Sequence, residues 1–197
     1  MEKTTLRLEL PSDPRWVSIA EKKIEDILID HAYCEQKAAS SCISLIIQYP
    51  EKSALVERLA PVVAEEWSHF ERVLALLKHR GFSLGPPRKD EYVARLSEIL
   101  VKGGSREHQL VEKLLLNALI EARSSERFKL LSKKLTDPAL KEFYHELMIS
   151  EAGHYRNFID LAKIYRRSIE VEARWKEFLA AEAIIMKTLE VRADRFH

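Results

Sequence analysis

The chain has 197 residues, of which 46% are hydrophobic and 32% charged, and its 32 Lys and Arg against 31 Asp and Glu give a formal net charge of +1. A chain of this length usually folds around one core, so we expect residues 1–197 to form a single domain. The balanced charge gives no overall field that would indicate a nucleic-acid or membrane partner. No apolar signal core and no apolar run of about 20 residues occurs, so we expect a cytoplasmic protein that does not span a membrane.

Capping residues, Gly and Pro divide the chain into helical segments, and strand-like alternation is absent from the sequence. Residues 1–12 are expected to be extended. Helices are predicted over about residues 14–49, 52–80, 91–102, 106–135, 138–165 and 169–194. Four of these segments are long, which predicts an all-α, ferritin-like four-helix bundle with accessory helices, including a C-terminal accessory helix within 168–197. Cys34 and Cys42 have no zinc-type or redox spacing and are expected to be reduced and buried.

Each long helix carries an apolar stripe that a carboxylate interrupts near its middle. In the second and fourth helices, a His follows that Glu after three residues, which places both side chains on one face. Four ionised carboxylates at one level of a core would repel one another, and two divalent cations would resolve the conflict. Ferritin-like di-iron and di-manganese bundles use such a set of four Glu and two His. The predicted metal ligands are Glu35, Glu66, His69, Glu121, Glu151 and His154.

The spacing of these residues repeats between the two halves of the chain. Glu35 and Glu121 are 86 residues apart, and Glu66 and His69 each lie 85 residues before their counterparts, Glu151 and His154. Another Glu-x-x-His, Glu142 with His145, falls on a more polar face and is interpreted as surface. Oxygen-rich ligands favour iron or manganese. From the residues alone, such a site could store iron, destroy peroxide or activate dioxygen.

Several polar and aromatic residues near the ligands have more than one interpretation. His31 and Asn117 each precede a ligand Glu by one turn, so they could orient the ligands or be hydrogen-bonded core residues. The carboxylates on polar faces are expected to be solvated, namely Glu65, Glu71 and Glu126. The tryptophans are expected in the core, namely Trp16, Trp67 and Trp175.

Four stretches carry a specific resemblance to a known family. They read LIDHAYCEQKAAS, PVVAEEWSHFERV, LIEARSSERF and MISEAGHYRNFIDLA. The chain resembles, from about residue 12 to about 190, the tRNA hydroxylases that act on 2-methylthio-N6-isopentenyl-adenosine. The motif around Glu35 and the phrase IEARSSERF are much more specific than Glu-x-x-His.

The resemblance implies a di-iron monooxygenase that hydroxylates the isopentenyl group of the modified adenosine next to the anticodon of tRNA. It implies two iron ions, O2 as co-substrate, electrons from a separate donor, and no catalytic side chain beyond the metal centre. The alternative is a ferritin-like iron-handling or ferroxidase protein, or a peroxide-detoxifying one. The tRNA partner implies basic contacts to the anticodon loop. The first candidates for these contacts are Lys133, Lys134, Arg166 and Arg167, and further candidates are Lys78, Arg80, Arg88 and Lys89.

Overall fold

The structure is a computed structural model that describes residues 5–189, and these residues are helical apart from turns and loops. No strand occurs in this range. None of the described helices is long and apolar enough to cross a membrane. The helices are α1 (Trp16–Lys22), α2 (Ile24–Gln48), α3 (Ser53–His79), α4 (Glu91–Ser97), α5 (Arg106–Lys134), α6 (Pro138–Tyr165) and α7 (Ser168–Thr188).

The described chain divides into two compact units. The first unit comprises residues 18–89, and the second comprises residues 5–17 and 90–189. In the first unit α2 packs against α3 as an antiparallel pair. In the second unit α5 packs against α6 in the same way, and α4 and α7 pack on this pair. The prediction of one domain over residues 1–197 stays a prediction.

Local signals in the sequence explain where α6 begins and where α3 ends. Asp137 caps α6, because its Oδ1 accepts hydrogen bonds from the backbone N–H groups of Ala139 at 2.9 Å and Leu140 at 3.2 Å. The α3 helix ends at His79, and Gly81, two residues later, has a φ of 76° that is readily available only to glycine. The N–H of Phe82 then bonds back to the carbonyl of Leu77 at 2.9 Å, which closes the helix.

The predicted first helix, over residues 14–49, is broken in the structure. Lys23 adopts φ −128° and ψ 40°, which separates α1 from α2. No Gly or Pro occurs nearby, so the break follows from packing and not from a local helix breaker. Trp16 is buried in the second unit under the guanidinium of Arg127, whose Cζ lies 4.3 Å from the ring centroid.

Three terminal or short segments also differ from the sequence prediction. Residues Thr5–Arg7 form a 3-10 turn where an extended segment was expected, and residues 1–4 lie outside the described range. The α4 helix ends at Ser97 and not at the predicted residue 102, because side chains of α5 and α7 bind the backbone that follows Ser97. The N–H of Val101 donates to Glu112 of α5 at 3.0 Å, and Arg174 of α7 donates to the carbonyl of Ile99 at 2.8 Å. The C-terminal helix ends at Thr188, and the predicted continuation over residues 190–197 lies outside the described residues.

Candidate metal centre

The first unit gathers three of the predicted ligands in its interior. Glu35 projects from α2, and Glu66 and His69 project from α3. Their exposed fractions are 4%, 0% and 6%. Each offers one oxygen or nitrogen atom, and these atoms lie within 4.8 Å of one another. We call these three residues the first donor set.

Hydrogen bonding holds Glu35 in the ionised form that a metal ion requires. Its Oε1 lies 2.6 Å from Nε2 of His31, a ring with no exposed surface. Its Oε2 lies 3.5 Å from Nδ1 of His69, and that nitrogen lies 3.6 Å from Oε2 of Glu66. Burial raises the pKa of the Glu35 carboxyl, but the hydrogen bonds from His31 and His69 outweigh burial and hold that pKa well below its ordinary value.

The second unit contains the other three predicted ligands in an equivalent arrangement. Glu121 projects from α5, and Glu151 and His154 project from α6. Their exposed fractions are 4%, 2% and 4%. Their candidate ligand atoms also lie within 4.8 Å of one another, and Nδ1 of His154 is 3.4 Å from Oε2 of Glu151. We call these residues the second donor set.

The chemistry of both donor sets fits a hard or borderline divalent metal ion. Each set combines two carboxylates with one imidazole, and thiolates are absent from both sets. Donor atoms that bind one ion at about 2 Å lie roughly 3–4 Å apart, and the spacing within each set is compatible with that geometry. Carboxylate-rich sets with an imidazole suit iron and manganese better than copper or zinc.

The burial of the stripes in α5 and α6 agrees with the faces that the sequence predicts. Every stripe residue of these two helices is buried, namely Leu110, Leu114, Asn117, Glu121, Ser124, Phe128 and Leu131 in α5, and Leu140, Tyr144, Leu147, Glu151, His154, Phe158 and Leu161 in α6.

His31 contacts Glu35, in agreement with a role in orienting a ligand. Asn117 is 7% exposed, and its Nδ2 donates to the carbonyl of Lys113 at 2.8 Å. The surface interpretation is confirmed for Glu142, His145, Glu65 and Glu71.

Three predictions about single side chains are wrong. Glu126 is 5% exposed instead of solvated, because it accepts hydrogen bonds from Ser12 and Arg123. Trp67 is 46% exposed instead of buried, and its ring packs against Phe70 at a centroid distance of 5.0 Å. Cys34 is half-buried, whereas Cys42 is buried, and neither forms a disulfide.

A buried polar cluster in the second unit was not predicted from the sequence. Its centre is the guanidinium of Arg123, which has no exposed surface. The guanidinium donates to Glu182 at 2.6 and 2.8 Å, to Glu126 at 3.1 Å, to Ser12 Oγ at 3.3 Å and to the carbonyl of Leu10 at 2.9 Å. The cluster therefore fastens α7 and residues 8–12 to α5, two residues beyond Glu121 in the sequence.

The predicted RNA contacts in the second unit do not form one surface. Lys133 and Lys134 lie at the C-terminal end of α5, whereas Arg166 and Arg167 follow the C-terminal end of antiparallel α6. Because α5 is 29 residues long, the two pairs are about 40 Å apart. Arg166 and Arg167 each pair with Glu170, Arg166 at 2.9 Å. The two lysines are exposed.

Comparison with known proteins shows what the chain is similar to. A family model described as tRNA-(MS[2]IO[6]A)-hydroxylase (MiaE) matches residues 1–197. A relative from Pseudomonas putida, named tRNA 2-(methylsulfanyl)-N(6)-isopentenyladenosine(37) hydroxylase, is 37% identical over 193 residues, covering 96% of this chain and 91% of the relative. A protein of the same name from Salmonella typhimurium is 28% identical over 242 residues, covering 96% of this chain and 87% of that protein.

A solved structure resembles the chain as a whole. It is described as protein 43 with aldehyde deformylating oxygenase activity from Synechococcus, and its TM-score is 0.90 at 34% identity. The match covers 96% of this chain and 94% of that structure. Together with the all-helical described residues, this likeness confirms the predicted all-α, ferritin-like fold.

Proposed function

The chain belongs to the tRNA-(MS[2]IO[6]A)-hydroxylase family, and on that premise we propose that it hydroxylates the isopentenyl group of 2-methylthio-N6-isopentenyl-adenosine beside the anticodon of tRNA. The observation that carries the proposal is the presence, in each helix pair, of two buried carboxylates and a buried imidazole whose ligand atoms lie within 4.8 Å. A protein that acts on tRNA is expected in the cytoplasm, in agreement with the prediction from the sequence.

The proposal assigns two iron ions to the two donor sets, with Glu35, Glu66 and His69 from one set and Glu121, Glu151 and His154 from the other. When bound, the iron pair supplies the activation of O2 that an unactivated C–H bond requires, a reaction beyond the reach of amino-acid side chains. In the overall reaction, a C–H bond reacts with O2, two electrons and two protons, and the products are an alcohol and one molecule of water. The electrons come from a separate donor.

The protein's own residues prepare this site in two ways. His31 orients Glu35 and keeps its oxygen atoms negatively charged, which favours cation binding. Apolar side chains precede and follow the donors along each stripe and exclude water, for example Leu59 and Val73 in α3, and Leu114 and Phe128 in α5. A dry site limits the loss of activated oxygen to side reactions. The two protons of the overall reaction come from solvent, and the proposal assigns their delivery to no side chain.

The direct test combines iron loading with nucleoside analysis. The purified chain is loaded anaerobically with Fe(II), mixed with tRNA that carries the methylthio-isopentenyl modification, and supplied with a chemical reductant and O2. We expect one added oxygen atom in the modified nucleoside, detected by mass spectrometry after digestion, and incorporation of 18O from labelled O2. Iron oxidation or peroxide decomposition without nucleoside oxidation would support the ferritin-like alternative instead.

A second candidate reaction is favoured by the likeness to the Synechococcus protein, which is described as having aldehyde deformylating oxygenase activity. This reaction also uses O2 and external electrons, so the same donor sets would serve it. The test is to incubate the iron-loaded chain with a long-chain aldehyde, O2 and a chemical reductant, and to look for the hydrocarbon one carbon shorter together with formate, which carries the lost carbon. We expect this product to form far more slowly than hydroxylated tRNA.

A further inference from the structure

The charged residues of the first unit are distributed unequally between its two ends. One end consists of residues 21–26 and 78–89 and contains six Lys or Arg against three Asp or Glu. The remainder of residues 18–89 contains four Lys or Arg against seven Asp or Glu. The unit is therefore neutral in sum but strongly polarised, and we call residues 21–26 and 78–89 the cationic end.

Three separate segments meet at the cationic end. Because α2 and α3 are antiparallel, the start of α2 lies beside the end of α3. Gly81 then turns the chain back, and residues 82–89 run along α2. Two contacts hold them there: the hydroxyl of Tyr33 donates to the carbonyl of Gly85 at 2.6 Å, and Arg88 forms an ion pair with Asp26.

Several cations at this end are available to a partner. Lys22, Lys23 and Lys78 are exposed, and within the described residues 5–189 none of the three forms an ion pair. The negative end of the α3 dipole accounts for a lysine at position 78. Lys22, the last residue of α1, lies at the negative end of the α1 dipole in the same way. Lys23 is the N-cap of α2, where the dipole disfavours a cation, so the dipoles do not account for this lysine.

The composition of this surface fits phosphate groups better than a protein partner. Protein interfaces have an apolar core surrounded by polar residues. The large exposed apolar side chains of the first unit are Ile43, Ile47 and Trp67, and none of them belongs to the cationic end. Exposed Lys and Arg side chains are the usual contacts to the phosphates of nucleic acids, which they bind through charge.

The cationic end also lies at a suitable distance from the donor set of the same unit. Lys78 follows Glu66 by twelve residues in α3, which corresponds to about 18 Å along the helix axis. A base whose side group reaches the metal ligands would leave the phosphates of neighbouring nucleotides within such a distance. We propose that the cationic end binds phosphates of the anticodon arm of tRNA through Lys22, Lys23 and Lys78. This inference rests on the proposed function, because that function makes tRNA the substrate.

The test compares two variants of the whole chain that lose the same charge. One variant carries Lys22→Gln, Lys23→Gln and Lys78→Gln at the cationic end. The matched control carries Lys102→Gln, Lys176→Gln and Lys187→Gln, which are exposed lysines of the second unit with no ion pair among the described residues. Thermal unfolding of both variants checks that the fold is intact.

Binding of an unmodified tRNA transcript with adenosine at position 37 is measured by filter binding over a range of salt concentrations. Each phosphate contact adds about 0.7–0.9 to the slope of log affinity against log salt, so the first variant should lose about 2–3 from that slope and about tenfold or more in affinity. The control variant should keep the wild-type slope. The proposal is overturned if the first variant and the wild type have equal slopes. It is also overturned if the variant Lys133→Gln/Lys134→Gln loses tRNA binding while the first variant keeps it.

Hydroxylation of the free modified nucleoside separates this inference from the proposed function. The nucleoside carries no phosphate, so the first variant should hydroxylate it at the wild-type rate while its kcat/KM for tRNA falls. If the wild type oxidises neither substrate, the proposed function fails, and the binding data still decide the inference. A variant that binds tRNA normally but accepts electrons poorly from an acidic donor protein would assign the cationic end to that donor and overturn the proposal.

Discussion

Arg123 and Glu182 form an ion pair that is fully shielded from solvent: Nη2 lies 2.6 Å from Oε1, and both side chains have 0% exposed surface. The Tyr92 hydroxyl donates to the same carboxylate oxygen at 3.1 Å. Burial raises the pKa of Glu182, and the charge and hydrogen bonds of Arg123 oppose that effect. The pair joins α5, which carries Glu121, to α7 at the far end of the second unit's sequence.

Replacement of Glu182 by Ala should strongly destabilise the protein. The substitution leaves the buried Arg123 guanidinium without its main counter-charge, and loss of one partner of a buried pair costs about 3–5 kcal/mol. Urea unfolding monitored by circular dichroism measures this loss. Glu177→Ala is the control, because Glu177 pairs with Arg174 at 2.6 Å but its side chain is 65% exposed, so it should cost less than about 1 kcal/mol. Equal effects of the two substitutions would contradict the structural role assigned to Arg123.

Glu66→Ala and His154→Ala should each abolish stable iron binding and tRNA hydroxylation while the protein remains helical. Each removes one donor from a different donor set, so the two variants test the two sets separately. Iron is counted by elemental analysis after desalting, and product by nucleoside analysis. Glu142→Ala with His145→Ala removes a Glu-x-x-His of identical spacing from the exposed face of α6 and should leave both readouts unchanged. Full hydroxylation by either single variant would refute the assigned ligands.

His31→Ala should weaken metal binding without removing a ligand. The His31 ring lies 2.6 Å from Glu35 and fixes the position and charge of that carboxylate, and loss of such a partner typically lowers metal affinity about 10–100-fold. Fe(II) affinity is measured by anaerobic competition with a chelator. His31→Gln can still donate one hydrogen bond, and we expect it to restore part of the affinity. If both variants bind Fe(II) like the wild type, His31 is a core residue with no influence on the site.

Acid should remove the stabilisation that comes from Glu112. Burial raises the pKa of this carboxyl. The hydrogen bonds from Arg174 at 2.7 and 2.8 Å and from the N–H of Val101 lower the pKa by more than burial raises it, so the net pKa lies below its ordinary value of 4.5. A lowered carboxyl pKa contributes stability that is complete above about pH 4.5 and is lost as the pH falls through the folded-state pKa.

The variant Glu112→Gln isolates this contribution from that of other carboxylates. Urea unfolding midpoints of the wild type and the variant are compared between pH 7 and pH 3. The difference between them should be constant above about pH 5 and should shrink below pH 4.5, because protonated Glu112 resembles Gln. A difference that does not change with pH would mean that the Arg174 contact contributes through packing alone.

The sequence predicts the parts of this structure that local patterns determine. Helix ends with a capping residue or a Gly, such as Asp137 and Gly81, fall within a residue of their predicted positions. The six ligands can be chosen because a carboxylate in an apolar stripe conflicts with burial unless a cation neutralises it. Burial of all six side chains agrees with that reasoning.

Features that depend on contacts distant in sequence could not be predicted. Glu126 looks like a surface carboxylate on α5 until Ser12, 114 residues away, is seen to cover it. Trp67 looks like a core residue by its type, but its position beside Glu66 on α3 points it outward. The break at Lys23 has no helix-breaking residue, so the local sequence gives no sign of it. For Glu126 and Trp67, a long-range contact or a direction around the helix overrides the preference of the residue.

The anchoring of residues 8–12 also restricts how the protein can be shortened for biochemical work. Leu10 and Ser12 supply two of the acceptors that saturate the buried guanidinium of Arg123, and Ser12 also accepts from Arg127 at 3.1 Å. A shortened chain that begins at α2 would expose two interior arginines to an empty groove in the second unit. We expect such a truncated chain to accumulate in inclusion bodies, although every predicted metal ligand would still be present.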